Sequence, residues 1–234
     1  MKRGRDVRTI PDNVGQHITQ GSHVLFSIIQ AAGWPIWPLL ASSVLALAIV
    51  IERFISLGEP KIAPPGLDQA VMAATAQRIP ASASVAELQS NSLMGEVLGS
   101  ALKAINDQPS IKEEDLRAMV QSVGRTAAQR LETNLSALAT IASAAPLMGL
   151  LGTVIGMIEI FGAQGSVGAA GNPGQLAQGI SIALYNTAFG LLIAIPALVF
   201  WRYFRARVDR YLLTLETSTE ALMRHLKNCG HLKP

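Results

Sequence analysis

Residues 138–161 read LATIASAAPLMGLLGTVIGMIEIF, with Glu159 as their one charged side chain. About 20 mostly apolar residues in a helix cross a bilayer, and this stretch is long enough. Ala145, Gly149, Gly152 and Gly156 recur every three or four positions. At that spacing small residues let two membrane helices approach closely; plain bundle packing would use the same glycines. The GLLGTVIG within the stretch is not a phosphate-binding loop, because no Lys follows it and it lies inside an apolar helix.

Working outward, residues 176–201 (LAQGISIALYNTAFGLLIAIPALVFW) form a second such stretch, with Gly179, Ala183, Gly190 and Ala194 at similar spacing. A further one runs from Trp34 to Ile55, centred on PLLASSVLALAIVI. Pro35 suits the first turn of its helix, and Trp34 and Trp37 stand where interfacial aromatics collect. Residues 22–32 (SHVLFSIIQAA) read as a short amphipathic helix on the membrane surface. No Asp, Glu, Lys or Arg occurs in residues 13–51, 133–158 or 160–201. Charged residues make up 15% of the chain, against about 25% in soluble domains, so the shortage is local. This pattern excludes a single soluble globular domain. It points to a polytopic membrane protein with a sizeable aqueous part.

Composition removes other classes. Cys229 is the only cysteine, which leaves no disulfide framework and no CxxC metal site; neither a metal nor another cofactor is expected. The pI of about 9.2 does not imply a nucleic-acid partner. The basic residues gather at the N-terminus and beside an apolar segment, not on a basic face interleaved with aromatics. Lys2, Arg3, Arg5 and Arg8 lie too far from the first apolar stretch to begin a signal peptide.

Positive charge orients the spans. Arg202, Arg205, Arg207 and Arg210 follow the 176–201 span closely, whereas residues 162–175 carry no Lys or Arg. The expected layout follows from that contrast. Residues 1–33 form a periplasmic tail and amphipathic helix, 34–55 the first span, and 56–137 a cytoplasmic helical region. Residues 138–161 form the second span, 162–175 a periplasmic loop, 176–201 the third span, and 202–234 a cytoplasmic C-terminal helix. In the cytoplasmic part Ser84–Glu87 and Ser110–Glu113 read as capping boxes, with Pro80 and Pro109 as punctuation. From Ile111 an apolar stripe runs through Leu116, Met119, Val123, Ala127, Leu131, Leu135 and Leu138, so one helix is expected to continue into the second span, with Gly124 as its weak point. Beyond the third span the stripe continues through Phe204, Val208, Leu212, Leu215, Thr219 and Leu222, ending near Gly230. Such stripes need cover, which implies a helical bundle and more than one subunit. The fold class is all-α: an integral membrane protein with three transmembrane helices, two of them extended into a cytoplasmic helical bundle.

Few polar groups interrupt the spans. Thr153 lies about 12 Å from the outer end of the second span and Thr187 about 16 Å from that of the third, which puts both near mid-membrane. Asn186 and Tyr185 fall at the same level. A threonine hydroxyl can bond its own helix, but two at one depth can also line a polar path. Glu159 is the only carboxylate inside a span, and intramembrane acids are functional candidates by default. It sits near the outer end and off the Thr153 face.

At these residues the chain resembles the MotA/TolQ/ExbB family, and more closely its ExbB and TolQ branches. The first motif is carried by Pro146, Gly149, Gly152, Thr153, Gly156 and Phe161. The second is carried by Gly179, Ala183, Leu184, Thr187, Ala188, Gly190, Leu191 and the IAIPA run through Pro196. The Glu52-Arg53 to Leu57 ending of the first span also fits, while residues 62–108 match only in being helical. The resemblance implies an inner-membrane motor driven by the proton motive force, and not an enzyme. Five subunits would surround two ExbD- or TolR-like single-span partners that carry the ion-binding Asp, with a TonB-like protein beyond them. The second and third spans would line the pore, with lipid around the assembly. Thr153, Thr187, Asn186 and Glu159 are the candidates for the proton path. Pro146, Gly149, Leu150, Gly156, Met157, Ile180, Ala183, Leu184 and Leu191 are the candidates for pore packing. The chain departs from the family at Ile182, where many members carry a Glu, so this subunit cannot hold a proton there. TolQ-like and passive-scaffold readings stay open beside the ExbB-like one.

Overall fold

The computed structural model describes residues 33–165 and 173–232. The amphipathic helix expected at 22–32 lies outside the described residues, as do residues 166–172 of the expected loop. The described residues form helices and turns without a strand. They are α1 (Ile36–Ser56), α2 (Glu59–Ile62), α3 (Leu67–Thr75), α4 (Ser82–Asn91), α5 (Leu93–Asp107), α6 (Glu113–Glu132), α7 (Leu135–Gly165) and α8 (Pro173–Asn228). Three apolar segments, carried by α1, α7 and α8, are long and apolar enough to cross a membrane. Pro146 and Pro196 lie inside α7 and α8, as proline does in membrane helices when neighbouring groups satisfy the freed carbonyl.

The chain divides into two compact units. The first holds the described residues up to Val44 together with Ala142–Ile195. Its core is Leu39, Ala145 and Ala194, packed by Met148, Phe189 and Ile193.

The second unit holds Leu45–Ile141 and Pro196–Pro234. Val97, Leu98, Leu102, Leu116, Leu138, Phe204, Val208, Leu222 and Leu226 are buried in it. Phe54 meets Phe204 edge-on with ring centroids 5.0 Å apart. The Tyr211 hydroxyl donates to the Leu57 carbonyl at 3.2 Å and accepts from Arg207 Nε at 3.1 Å. Ion pairs link Glu96 to Arg130, Glu132 to Arg205 and Glu113 to Lys227, each at 2.8 Å.

Several expectations need correction here. Neither capping box forms. Ser84 lies inside α4, whose cap is Ala81, and Ser110 lies in the turn before α6, whose cap is Lys112. The serine that does cap is Ser92, which accepts from the Gly95 amide at 3.0 Å. Helix α6 passes through Gly124 without interruption and ends instead at Thr133–Asn134, where Asn134 takes φ 60. Asn tolerates this left-handed conformation better than most residues. Met119 is 45% exposed while its neighbour Val120 is buried, so Val120 replaces Met119 on a stripe that otherwise keeps Leu116, Ala127 and Leu131 inside. That stripe is covered within the chain's own bundle, and a second subunit is not needed to cover it. Helix α8 does run on to Asn228, followed by Gly230 at φ 76.

At the α6–α7 break, Arg53 is only 4% exposed. Its Nε and Nη2 donate to the Glu52 carboxylate at 2.6 and 2.8 Å, and its Nη1 donates to the Leu131 carbonyl at 3.2 Å. The Asn134 side-chain amide donates to the same carboxylate at 3.4 Å.

Candidate functional site

Within the first unit, α7 and α8 cross with their small residues facing. A methyl group on Gly149 would stand 2.7 Å from the Asn186 carbonyl oxygen, and one on Gly190 would stand 2.6 Å from that of Ala145. A methyl on Gly152 would meet the Asn186 Cβ at 2.7 Å, and one on Gly156 would meet the Ala183 Cβ at 3.3 Å. These pairs run antiparallel, Ala145 beside Gly190 and Gly156 beside Ala183. Two backbones can come this close only because the spacing read from the sequence puts all the small residues on one stripe.

The contact sorts the sequence candidates into two faces. Gly149, Ala183 and Asn186 are buried, and Gly156 is half-buried against Ala183. Asn186 is 2% exposed and packs against Gly149 and Gly152. In the single chain this proton-path candidate therefore lies in the helix–helix seam and not on an open face. Leu150, Leu184 and Leu191 are 54%, 61% and 45% exposed, and Ile180 and Glu159 are exposed as well. Pro146 and Met157 are half-buried.

The two threonines stand between these faces and differ from each other. The Thr153 hydroxyl donates to the Leu150 carbonyl of its own helix at 2.7 Å. The Thr187 hydroxyl is buried and has no hydrogen-bond partner among the described residues. The Thr187 backbone faces Gly149, one turn or about 6 Å along α7 from Thr153. The crossing thus brings the two threonines to within a turn of one depth. A buried hydroxyl left unbonded costs about 1–3 kcal/mol, so Thr187 holds unused hydrogen-bonding capacity at this depth. No group of three or more His, Cys, Asp or Glu suited to a metal occurs among the described residues.

Sequence reasoning missed the Glu52–Arg53 contact with the α6–α7 break. Two signals were available: a charged pair at the end of an apolar span, and an Asn within an otherwise helical run.

The sequence profile of the MotA/TolQ/ExbB proton channel family matches residues 89–217. The chain is 30% identical over 194 residues to biopolymer transport protein exbB1 of Vibrio cholerae, covering 80% of this chain and 82% of that protein. It is 30% identical to putative biopolymer transport protein ExbB-like 1 of Synechocystis, covering 79% and 72% of the two chains. It is 39% identical over 103 residues to Tol-Pal system protein TolQ of Pseudomonas aeruginosa, covering 44% of each.

Proposed function

The chain belongs to the MotA/TolQ/ExbB proton channel family, and on that footing we propose that it is an ExbB-like subunit of a proton-motive-force-driven motor in a bacterial inner membrane. In this reading the N-terminus is periplasmic and the C-terminus cytoplasmic, with spans at 34–55, 138–161 and 176–201. Five copies enclose two single-span ExbD-like helices, and a TonB-like protein carries the work to outer-membrane transport. The exposed Leu150, Ile180, Leu184 and Leu191, with Met157, form an apolar lumen that receives the partner helices. Thr153 and Thr187 form a polar band across it.

The observation that carries this reading is the unpartnered, buried Thr187 hydroxyl within one turn of Thr153. A hydroxyl does not ionise at physiological pH, but it donates and accepts. Turned out of the seam toward the lumen, it can orient water or hydrogen-bond a partner carboxylate as that group gains and loses its proton. Exposing a charged carboxylate to hydrocarbon costs several kcal/mol, so a polar band at that depth lowers the barrier to its movement. The test is partner-dependent uptake or proton flux with Thr153→Val and Thr187→Val, which keep shape and remove hydrogen bonding. Strong loss with expression and oligomer size unchanged is expected, and Glu159→Gln should have the smaller effect. Full activity in the double variant sinks the threonine role. No flux from the wild-type chain with its partner leaves only a passive scaffold.

The TolQ relative, more identical over a shorter stretch, favours a second reading: the same motor serving envelope constriction. Complementation of a strain lacking ExbB against one lacking TolQ separates the two.

A further inference from the structure

We propose that the Thr133–Asn134 break is a two-state joint, latched in its broken form by Glu52 and Arg53 at the end of α1. The argument begins with what the local sequence does not contain. Between Gly124 and Pro146 there is no proline or glycine, and the residues on both sides of the break are helical. Nothing in that stretch forbids one unbroken helix. In such a helix the Leu131 carbonyl would accept from the Leu135 amide, four residues on. In the structure that carbonyl accepts instead from Arg53 Nη1 at 3.2 Å. A guanidinium suits this position because the last carbonyls of a helix are unsatisfied and carry the negative end of its dipole.

The latch is built to hold. Arg53 is buried, and Glu52 orients it through both Nε and Nη2. The carboxylate also accepts from the Asn134 side chain, so a single pair of residues on α1 grips both sides of the break. Asn134 itself sits at φ 60, a conformation that an unbroken helix would relieve. The broken form therefore depends on contacts from another helix, and the fused form depends only on the segment's own backbone. Withdrawal of the end of α1 releases the carbonyl, lets Leu135 replace Arg53, and joins α6 to α7. The joint converts the position of the end of α1 into the angle between α6 and the start of α7.

The experiment uses the full-length oligomer in nanodiscs. Cys229→Ser removes the only native thiol, and Ala118→Cys with Ser136→Cys, both exposed positions, carry spin labels. Labelled copies are diluted with unlabelled ones so that only distances within a chain are read. In a fused helix these sites lie five turns apart on one face, about 27 Å along the axis. The parent is expected to give a shorter distance. Arg53→Ala with Asn134→Ala is expected to lengthen it toward the fused value, and Asn134→Gly is expected to leave it short. A double variant with the parent's distance overturns the proposal. Should loss of Arg53 prevent assembly, Asn134→Ala alone decides. A second, longer population supports the joint, and a single parental distance refutes it.

Discussion

Under the proposed function, Thr187 is a residue at which folding and function come apart. Its buried hydroxyl makes no hydrogen bond among the described residues, so Thr187→Val removes no bond from the isolated subunit. We expect detergent-solubilised Thr187→Val to unfold no earlier than the parent, and to be more stable by up to about 1 kcal/mol. Partner-dependent activity should fall in the same variant. A thermal scan paired with a flux assay checks this; a variant that loses stability and activity together would mean that Thr187 only packs. The sequence placed both threonines by depth along their helices. It could not show that one hydroxyl is occupied by its own backbone and the other is not, because that depends on side-chain rotation against the facing helix.

At the scale of the element, long uncharged apolar runs located the spans of α1, α7 and α8, since about 20 such residues cross a membrane as a helix. Helix ends were harder to read. A capping box needs only Ser and Glu three apart, and Ser84 and Ser110 meet that pattern with neither at a helix start. Ser92 lacks the reciprocal glutamate, since N3 is Gly95, yet it caps α5 through the Gly95 amide. We expect Ser92→Ala to destabilise the bundle by about 1 kcal/mol. Ser84→Ala and Ser110→Ala should stay within about 0.5 kcal/mol of the parent, as surface changes usually do. Chemical denaturation followed by helix signal distinguishes them, and equal losses at all three sites would contradict this assignment of caps. The shift from Met119 to Val120 on α6 has a similar origin: both are apolar neighbours, and only the packed bundle decides which one faces inward.

For the whole molecule, the motive for assembly has moved. The sequence suggested that apolar stripes on the helical extensions need a neighbouring subunit, but Leu116, Leu131, Val208 and Leu222 are buried within a single chain. In the first unit, Leu147, Leu150, Leu151, Leu184, Leu191 and Leu192 stay open to a partner, and in the second Leu47, Ile55 and Leu213 are exposed as well. Some of these face lipid in any arrangement. A lumen-forming ring nevertheless predicts that native mass spectrometry in mild detergent gives a homo-oligomer, a pentamer under the proposed function. It also predicts that polar substitution at Leu150 and Leu191 weakens partner binding before it weakens the ring. A clean monomer under mild conditions would end that picture.

The close crossing of α7 and α8 also governs which mutational routes are open to this chain. Added methyls at Gly149 and Gly190 collide with carbonyl oxygens, and no second-site substitution can trim a backbone. At Gly152 the obstacle is the Asn186 side chain from its Cβ outward, which a second substitution to glycine removes. Overpacking of this kind costs about 1–3 kcal/mol, so all three Gly→Ala changes should impair assembly when made alone. Only Gly152→Ala should recover, with Asn186→Gly, which removes the Cβ as well. In a combinatorial library read out by assembly, positions 152 and 186 should therefore show strong epistasis and drift together, while 149 and 190 stay fixed whatever surrounds them.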